Sequence, residues 1–292
     1  MADECLYSLT VAGVTITIQS AQPLTMAERF LPFLTDLSEE GYQVIVSEVP
    51  FLPKPAGELL YRNESYEVFQ DEKHCVCRWY YNALHDDIRF ARTTSDWANR
   101  RISIEYIPEE KELLSAMINC YAFSGWETML LRERRLLLHA SCINSPVGGL
   151  LFSGVSGIGK STQAELWCRY AGASMINGDR PALYRGNDGW YGCGSPYAGS
   201  SHCFVNEHHR IRAIVMLRQA PVCHLRVMKK TEAFRSVFAQ ITVTSWDPSC
   251  VSLACDLVEQ LVSEVVVYEY ACTPDETAVH TLLTAIQKDV NA

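Results

Sequence analysis

Leu150-Leu151-Phe152-Ser153-Gly154-Val155-Ser156-Gly157-Ile158-Gly159-Lys160-Ser161-Thr162 is an apolar run, a glycine-rich turn and the opening of a helix, in that order. Four residues separate Gly154 from Gly159-Lys160-Ser161, which meets the phosphate-loop (Walker A) pattern at every fixed position. Each residue type has a physical task there. The loop glycines let the backbone curl so that several N–H groups face one anion. A helix starting near Lys160 adds the positive end of its dipole. Lys160 supplies a mobile cation for the β- and γ-phosphates, and Ser161 a hydroxyl for magnesium. Nucleotide contacts are therefore expected from Gly154, Val155, Ser156, Gly157, Ile158, Gly159, Lys160, Ser161 and Thr162. The plain alternative is a ligand-free glycine turn, and the strand–turn–helix context argues against it.

Two residues outside the loop carry information. Asp179 lies 19 positions after Lys160, beyond one helix and the short strand Ser174-Met175-Ile176-Asn177. That spacing puts the acid on a neighbouring strand, where it could hold magnesium or take a proton from an attacking hydroxyl. The competing reading is a solvent-facing turn acid. His139 lies 21 positions before Lys160, inside the apolar run Leu136-Leu137-Leu138-His139-Ala140-Ser141-Cys142-Ile143. A histidine in such a strand is commonly a satisfied core residue. Its place on the strand before the loop raises two other roles, a donor to the γ-phosphate or a partner of Asp179.

Leu138-His139-Ala140-Ser141, the loop Ser153-Gly154-Val155-Ser156-Gly157-Ile158-Gly159-Lys160-Ser161-Thr162 and Gly178-Asp179 together resemble the catalytic core of the HPr kinase/phosphorylase family and its HPr kinase-related offshoots. That family shares a nucleotide fold with the phosphoenolpyruvate carboxykinases. Histidine, lysine and aspartate follow in the same order at similar spacing, and the likeness spans residues 136–218. Gly194-Ser195-Pro196-Tyr197-Ala198-Gly199 is similar to a glycine–proline–aromatic loop of the offshoots. The resemblance implies that residues 154–161 cradle the phosphates and that Ser161 and Asp179 meet magnesium. It also implies that Asp179 activates the acceptor hydroxyl, with His139 assisting and Lys160 positioning the γ-phosphoryl group. Where the family carries two adjacent acids, this chain has Gly178-Asp179. The glycine-rich signature that follows in HPr kinases is absent, so HPr itself is not implied as the substrate.

The whole chain bounds the answer. Its 292 residues can bury a sizeable core in one or two domains, and 48% hydrophobic with 20% charged residues is ordinary globular composition. Met1-Ala2-Asp3-Glu4 opens acidic, without the basic and apolar regions of a secretory signal. No apolar run reaches membrane-spanning length. The 12 cysteines lie scattered, often in apolar segments, which suggests reduced thiols and a cytoplasmic location. His74-Cys75-Val76-Cys77 reads as alternating strand residues, with a metal site the weaker reading because no partners follow at zinc-like spacing. The net charge of −9 divides into −8 over residues 1–135 and −1 over 136–292. An acidic front half argues against a nucleic-acid partner. Of the 16 glycines, 12 lie between Gly148 and Gly199, where the backbone must turn sharply or approach a ligand.

The expected class is α/β, α+β overall. Residues 136–292 would form a P-loop nucleotide-binding core of the HPr kinase C-terminal/PEP carboxykinase type. Residues 1–107 would form a mainly antiparallel β domain, a candidate specificity element, and residues 108–135 a bridging helix with a break at Ser124-Gly125. A helix is expected from Ala27 to Leu37, weakened by Pro32. Thr273-Pro274-Asp275-Glu276 reads as a capping box for the last helix. The leading functional expectation is an ATP-dependent kinase acting on a serine or similar hydroxyl. It would use ATP or another nucleoside triphosphate with Mg2+, and the acceptor would be a protein, a peptide or a small molecule. No nucleic-acid or membrane partner is expected, and a homo-oligomer is compatible with the sequence. Arg180, Arg210 and Arg212 are candidate charge neutralisers. A catalytically weak nucleotide-binding regulatory module and a small-metabolite phosphotransferase are the alternatives from other classes.

Overall fold

In a computed structural model, residues 4–82 and 85–290 are described, without the side chains of 82–88, 289 and 290. The acidic opening at residues 1–3 lies outside the described residues. Contacts divide the chain into Met1–Met129 and Leu130–Ala292. Each unit is built on a nine-stranded mixed sheet, and the protein is of the mixed α/β, α+β kind.

The front unit starts with the tight pair Cys5–Val11 and Val14–Ser20, turned at Ala12-Gly13 where both residues have positive φ. Most of its strands pair antiparallel, as expected of a meander. Val14–Ser20, Tyr42–Glu48 and Arg101–Tyr106, however, run parallel to one another. Parallel neighbours need a crossover, and the segment between Ser20 and Tyr42 supplies the first one. That segment is not the expected α-helix but a 3-10 turn over Glu28–Phe33 with Pro32 inside it. Pro32 cannot donate an intrahelical hydrogen bond, so only a short tight helix survives, anchored by fully buried Phe30 and Phe33. The long helix expected from Pro108 is three short ones, Lys111–Leu114, Met117–Phe123 and Trp126–Arg132. Thr25 opens the first gap by bonding the backbone on both sides of Ala116, accepting from Met117 N and donating to Ser115 O. Gly125, at φ +77°, opens the second. His74, expected in a strand, sits in a turn at φ +62°, and the strand begins at Val76.

The rear sheet runs in the order Leu136–Leu137, Ala182–Arg185, Trp190–Cys193, His208–Gln219, Gly148–Ser153, Ala140–Ser145, Ser174–Asn177. His208–Gln219 is long enough to serve two neighbours on one side. Its first residues pair with Trp190–Cys193, and its last seven pair in parallel with Val266–Cys272. Side chains alternate between two cores, as the period of two demands. Leu150, Phe152, Ala213 and Val215 pack with Trp167, Val279 and Leu282 from helices Lys160–Tyr170 and Glu276–Val290. Leu151, Ile214 and Val267 face the other way, onto Val237, Leu257 and Leu261 from helices Lys230–Phe238 and Pro248–Glu264. Helices on both faces explain why the loop strand is apolar at consecutive positions rather than at alternate ones. Asp247 caps the helix after it, accepting from Ser249 N and Cys250 N. The last helix is capped by Asp275, which accepts from Thr277 N, rather than by Thr273 as the capping box predicts.

Candidate functional site

Strand direction gathers the site. Gly148–Ser153 runs antiparallel to Ala140–Ser145, which runs antiparallel to Ser174–Asn177. The end of the first, the start of the second and the end of the third therefore lie on one sheet edge. Gly154, His139 and the Gly178-Asp179 turn leave the sheet there together. His208–Gln219 and Val266–Cys272 run parallel to the loop strand and end on the same edge. In open α/β sheets this carboxyl-end edge is where ligands collect.

The loop itself has the shape its glycines permit. Gly159 adopts φ +107° as the residue before helix Lys160–Tyr170, a conformation that strains any other residue type. Lys160 is 8% exposed, and its Nζ folds back onto Gly154 O and Val155 O, both at 3.3 Å. The loop carbonyls thus hold the ammonium group in the curl of the loop. Burial lowers the Lys160 pKa, while the nearby Asp179 charge pulls the other way. Ser161 stands in the first helical turn, half-buried, and Thr162 is exposed.

Asp179 sits between two basic groups. Its Oδ1 is 3.4 Å from His139 Nε2 and its Oδ2 is 3.6 Å from Arg180 Nε. The carboxylate keeps 28% of its side-chain surface open to solvent, enough to meet a second molecule. Burial, then the Lys160 charge, hold the His139 pKa below its usual value against the attraction of Asp179. The imidazole is therefore neutral near pH 7. The expected strand through residue 139 is broken at that point. Leu136–Leu137 pairs with Ala182–Arg185, and Ala140 begins the partner of the loop strand. At the break, His139 N donates to Gln240 O and His139 O accepts from Ser153 Oγ. The interruption is what frees the ring to reach Asp179.

Asn177 is the residue that sequence reasoning missed. It is fully buried and joins four backbone groups. Oδ1 accepts from Asp179 N and Arg180 N at 3.0 and 2.7 Å, while Nδ2 donates to Ser195 O and Tyr197 O at 3.1 Å each. An Asx turn two residues before an acid was the available signal. The second glycine-rich loop, 192–201, is thereby a shelf under Asp179. Ser195 Oγ donates to Arg180 O at 2.6 Å, and a Cβ at Gly199 would come within 3.0 Å of Asp179 Cβ. The same shelf fills the space beside Gly178. A side chain there would overlap Ser201 and approach Ala198 O to 2.9 Å.

The arginines separate. Arg180 is at the site, its Nη1 donating to Thr242 Oγ1 at 2.6 Å. Arg210 and Arg212 flank Ile211, which is opposite Gly149 at the start of the loop strand, the far end from the loop. At about 3.3 Å per residue this keeps them some four residues, or about 13 Å, from the loop end. They do not join the site. Arg132 pairs with Asp247 at 3.0 Å, so its work is at a helix terminus.

No known family model matches the sequence, and no curated protein matches it. Among solved structures, a similar one is titled "Structure of the Hpr(Ser) kinase/phosphatase from Coxiella burnetii". It is 14% identical, with 53% of this chain aligned to 99% of that chain at a TM-score of 0.34. Identity and TM-score that low decide neither fold nor activity, so function has to be argued from the geometry of the site.

Proposed function

We propose that this protein is an ATP-dependent phosphotransferase moving the γ-phosphoryl group to a serine or similar hydroxyl of a protein, peptide or small molecule. One observation carries the reading. A glycine loop closed on a buried lysine, a carboxylate held by two basic groups, and a neutral histidine leave one edge of the sheet together. A module that only bound nucleotide would need the loop, the lysine and a metal ligand, whereas an acid with 28% of its side-chain surface open can also meet an acceptor hydroxyl.

The residues present also fit a magnesium ion. Among the described residues no three His, Cys, Asp or Glu side chains gather to hold a metal. Magnesium in phosphoryl transfer takes only one or two protein oxygens and completes its shell with phosphate and water. Ser161 and Asp179 would supply the protein oxygens, and the ion would neutralise phosphate charge. Lys160 leaves the loop carbonyls to bind the β- and γ-phosphates, with the loop N–H groups around it. Asp179 accepts the proton of the acceptor hydroxyl as that oxygen bonds to phosphorus and the bond to the bridging β-phosphate oxygen breaks. His139 and Arg180 flank the two carboxylate oxygens at 3.4 and 3.6 Å, which sets the electrostatic surroundings of the acid before the acceptor arrives.

The test is isotopic γ-phosphoryl transfer from ATP to a panel of hydroxyl acceptors. Asp179→Asn should lower transfer by about 10²- to 10⁴-fold, the usual worth of a general base. Equal transfer by the wild type and Asp179→Asn would remove the acid from the reaction. The regulatory-module reading is favoured by Gly178, which leaves Asp179 without a neighbouring acid. Tight ATP binding with no transfer to any acceptor would select it.

A further inference from the structure

All 12 cysteines are free thiols, and phosphoryl transfer uses none of them. Two of them face each other across a strand pair. His224–Val227 runs antiparallel to Val266–Cys272, with His224 opposite Ala271 and Val227 opposite Tyr268. One step further out, Cys223 stands opposite Cys272. Met228 N donates to the carbonyl of Val267, the residue opposite it, at 2.9 Å. That makes 228 and 267 a hydrogen-bonded pair, and alternation along the ladder makes 223 and 272 a non-hydrogen-bonded one. Such pairs hold their Cα atoms about 4.5 Å apart with both side chains on one face, within the about 4.4–6.8 Å that a disulfide spans. The surroundings agree. Both cysteines pack in the same apolar cluster as Tyr270 and Leu225, and Cys223 Sγ lies 3.5 Å from Oγ1 of Thr273, the neighbour of Cys272.

The two thiols differ in character. Cys223 is half-buried, whereas Cys272 is 7% exposed. Burial raises the Cys223 pKa, but hydrogen bonds with Tyr270 and Thr273 outweigh it and bring the thiol below its ordinary value. Burial pushes Cys272 up to about 12. Every other cysteine with a displaced pKa among the described residues is pushed up by burial as well. Thiolates react with peroxides far more readily than thiols do, so Cys223 is the reactive member and Cys272 its protonated partner.

Cys272 also touches the glycine loop's helix. Gln163 stands three residues after Lys160 and is 3% exposed. Its Nε2 donates to Cys272 Sγ at 3.4 Å and to Thr273 O at 3.0 Å. A sulfur that turned to bond Cys223 would leave Gln163 without one of these two acceptors, on the first turn of helix Lys160–Tyr170.

We propose that Cys223 and Cys272 are a peroxide-sensitive thiol pair whose disulfide weakens polyphosphate binding at the glycine loop; the effect on binding rests on the phosphate-loop reading above. The Cys223 thiolate attacks hydrogen peroxide, the O–O bond breaks, and sulfenic acid and hydroxide form. The Cys272 thiol then attacks that sulfur. The S–S bond forms as the S–O bond breaks, and the oxygen leaves with the thiol proton as water. The thiol pair loses two electrons and peroxide gains them. A dithiol reductant reverses the step by exchange.

The full chain is treated with graded hydrogen peroxide, its remaining thiols are alkylated, and its peptides are compared by mass spectrometry with and without dithiothreitol. A peptide linked through Cys223 and Cys272 should appear at the lowest effective dose and vanish on reduction. In Cys272→Ala, dimedone should trap Cys223 as the sulfenic acid. Linkage of a different pair at that dose, or an unmodified Cys223 where other cysteines are oxidised, would overturn the pair. Calorimetric titration with inorganic tripolyphosphate, magnesium present, reads the coupling. Oxidation should lower wild-type affinity about fivefold, the worth of one hydrogen bond, and leave Cys223→Ser unchanged. Equal affinity of the reduced and oxidised wild type would overturn the coupling. Failure of both forms to bind would remove the phosphate-loop reading instead, and the linked peptide would still decide the thiol pair.

Discussion

Gly178 stands beside the acid, and an alanine there is a direct trial of how the site is supported. Its backbone lies outside the left-handed region, so alanine meets no φ penalty. The obstacle is space. A Cβ at 178 would overlap the Ser201 side chain and come within 2.9 Å of Ala198 O. Ser201 Oγ is itself held, donating to Ala198 O at 2.6 Å, so it cannot swing away and keep that bond. Overpacking of this kind costs about 1–3 kcal/mol, and a lost hydrogen bond adds about 1 kcal/mol. Gly178→Ala is therefore expected to destabilise the rear unit by about 2–4 kcal/mol, a fall on the order of 10 °C in its Tm. Ser201→Gly removes the obstructing atoms at a cost of about 1 kcal/mol for the hydrogen bond. In that background Gly178→Ala should cost about 1–2 kcal/mol less than in the wild type, giving a favourable coupling between the two positions. Urea denaturation of the four proteins, followed by tryptophan fluorescence, completes the cycle. An additive cycle, or a Gly178→Ala protein as stable as wild type, would refute the packing argument. A second acid at 178 would meet the same obstruction, so Gly178→Asp should disturb Asp179 rather than assist it.

Other expectations follow from the same contacts. Lys160→Met should weaken both ATP and tripolyphosphate binding by about ten- to a hundredfold, measured by calorimetry, because a charged hydrogen-bond donor is lost. Thermal stability of Lys160→Met should be unchanged or higher, since a cation buried against burial's own penalty is gone. His139 has its folded pKa held below the unfolded value of 6.5, so the unfolded chain binds more protons in the window just under pH 6.5. Stability should accordingly rise with pH up to 6.5 and the contribution then level off, and a wild type minus His139→Gln difference curve from pH 5 to 8 should show that slope. A flat difference curve would mean the ring is not desolvated as described. Asn177→Ala strips partners from two N–H groups and two carbonyls, and should cost at least about 2 kcal/mol by thermal denaturation. Transfer activity should fall with it, because Asp179 loses its backbone anchor.

The loop was legible in the sequence because its determinants are local. Glycine at 159 and a lysine beginning a helix dictate backbone shape within a few residues of themselves, and Gly159 takes the positive φ that only glycine adopts freely. The long helix from Pro108 was misread for the opposite reason. Thr25, more than 80 positions earlier in the chain, donates to Ser115 O and accepts from Met117 N in the middle of it. No window around residue 116 contains that partner. Arg210 and Arg212 were plausible as site residues until strand register put them at the wrong end of the loop strand. Register is a property of pairing, so one-dimensional spacing is silent on it.

The sequence by itself determined the glycine-rich turn that opens a helix, the apolar strand that feeds it, and the order His139, Lys160, Asp179. These depend on residue type and short spacing, where propensity and backbone freedom act directly. Only the tertiary structure decided that the three leave one edge of the sheet together, because that depends on strand directions set far apart in the chain. It also decided that Asn177 and the 192–201 loop support Asp179, and that Gly178 has no room for a side chain. Each of those facts is a close approach between segments, and close approach comes only with packing.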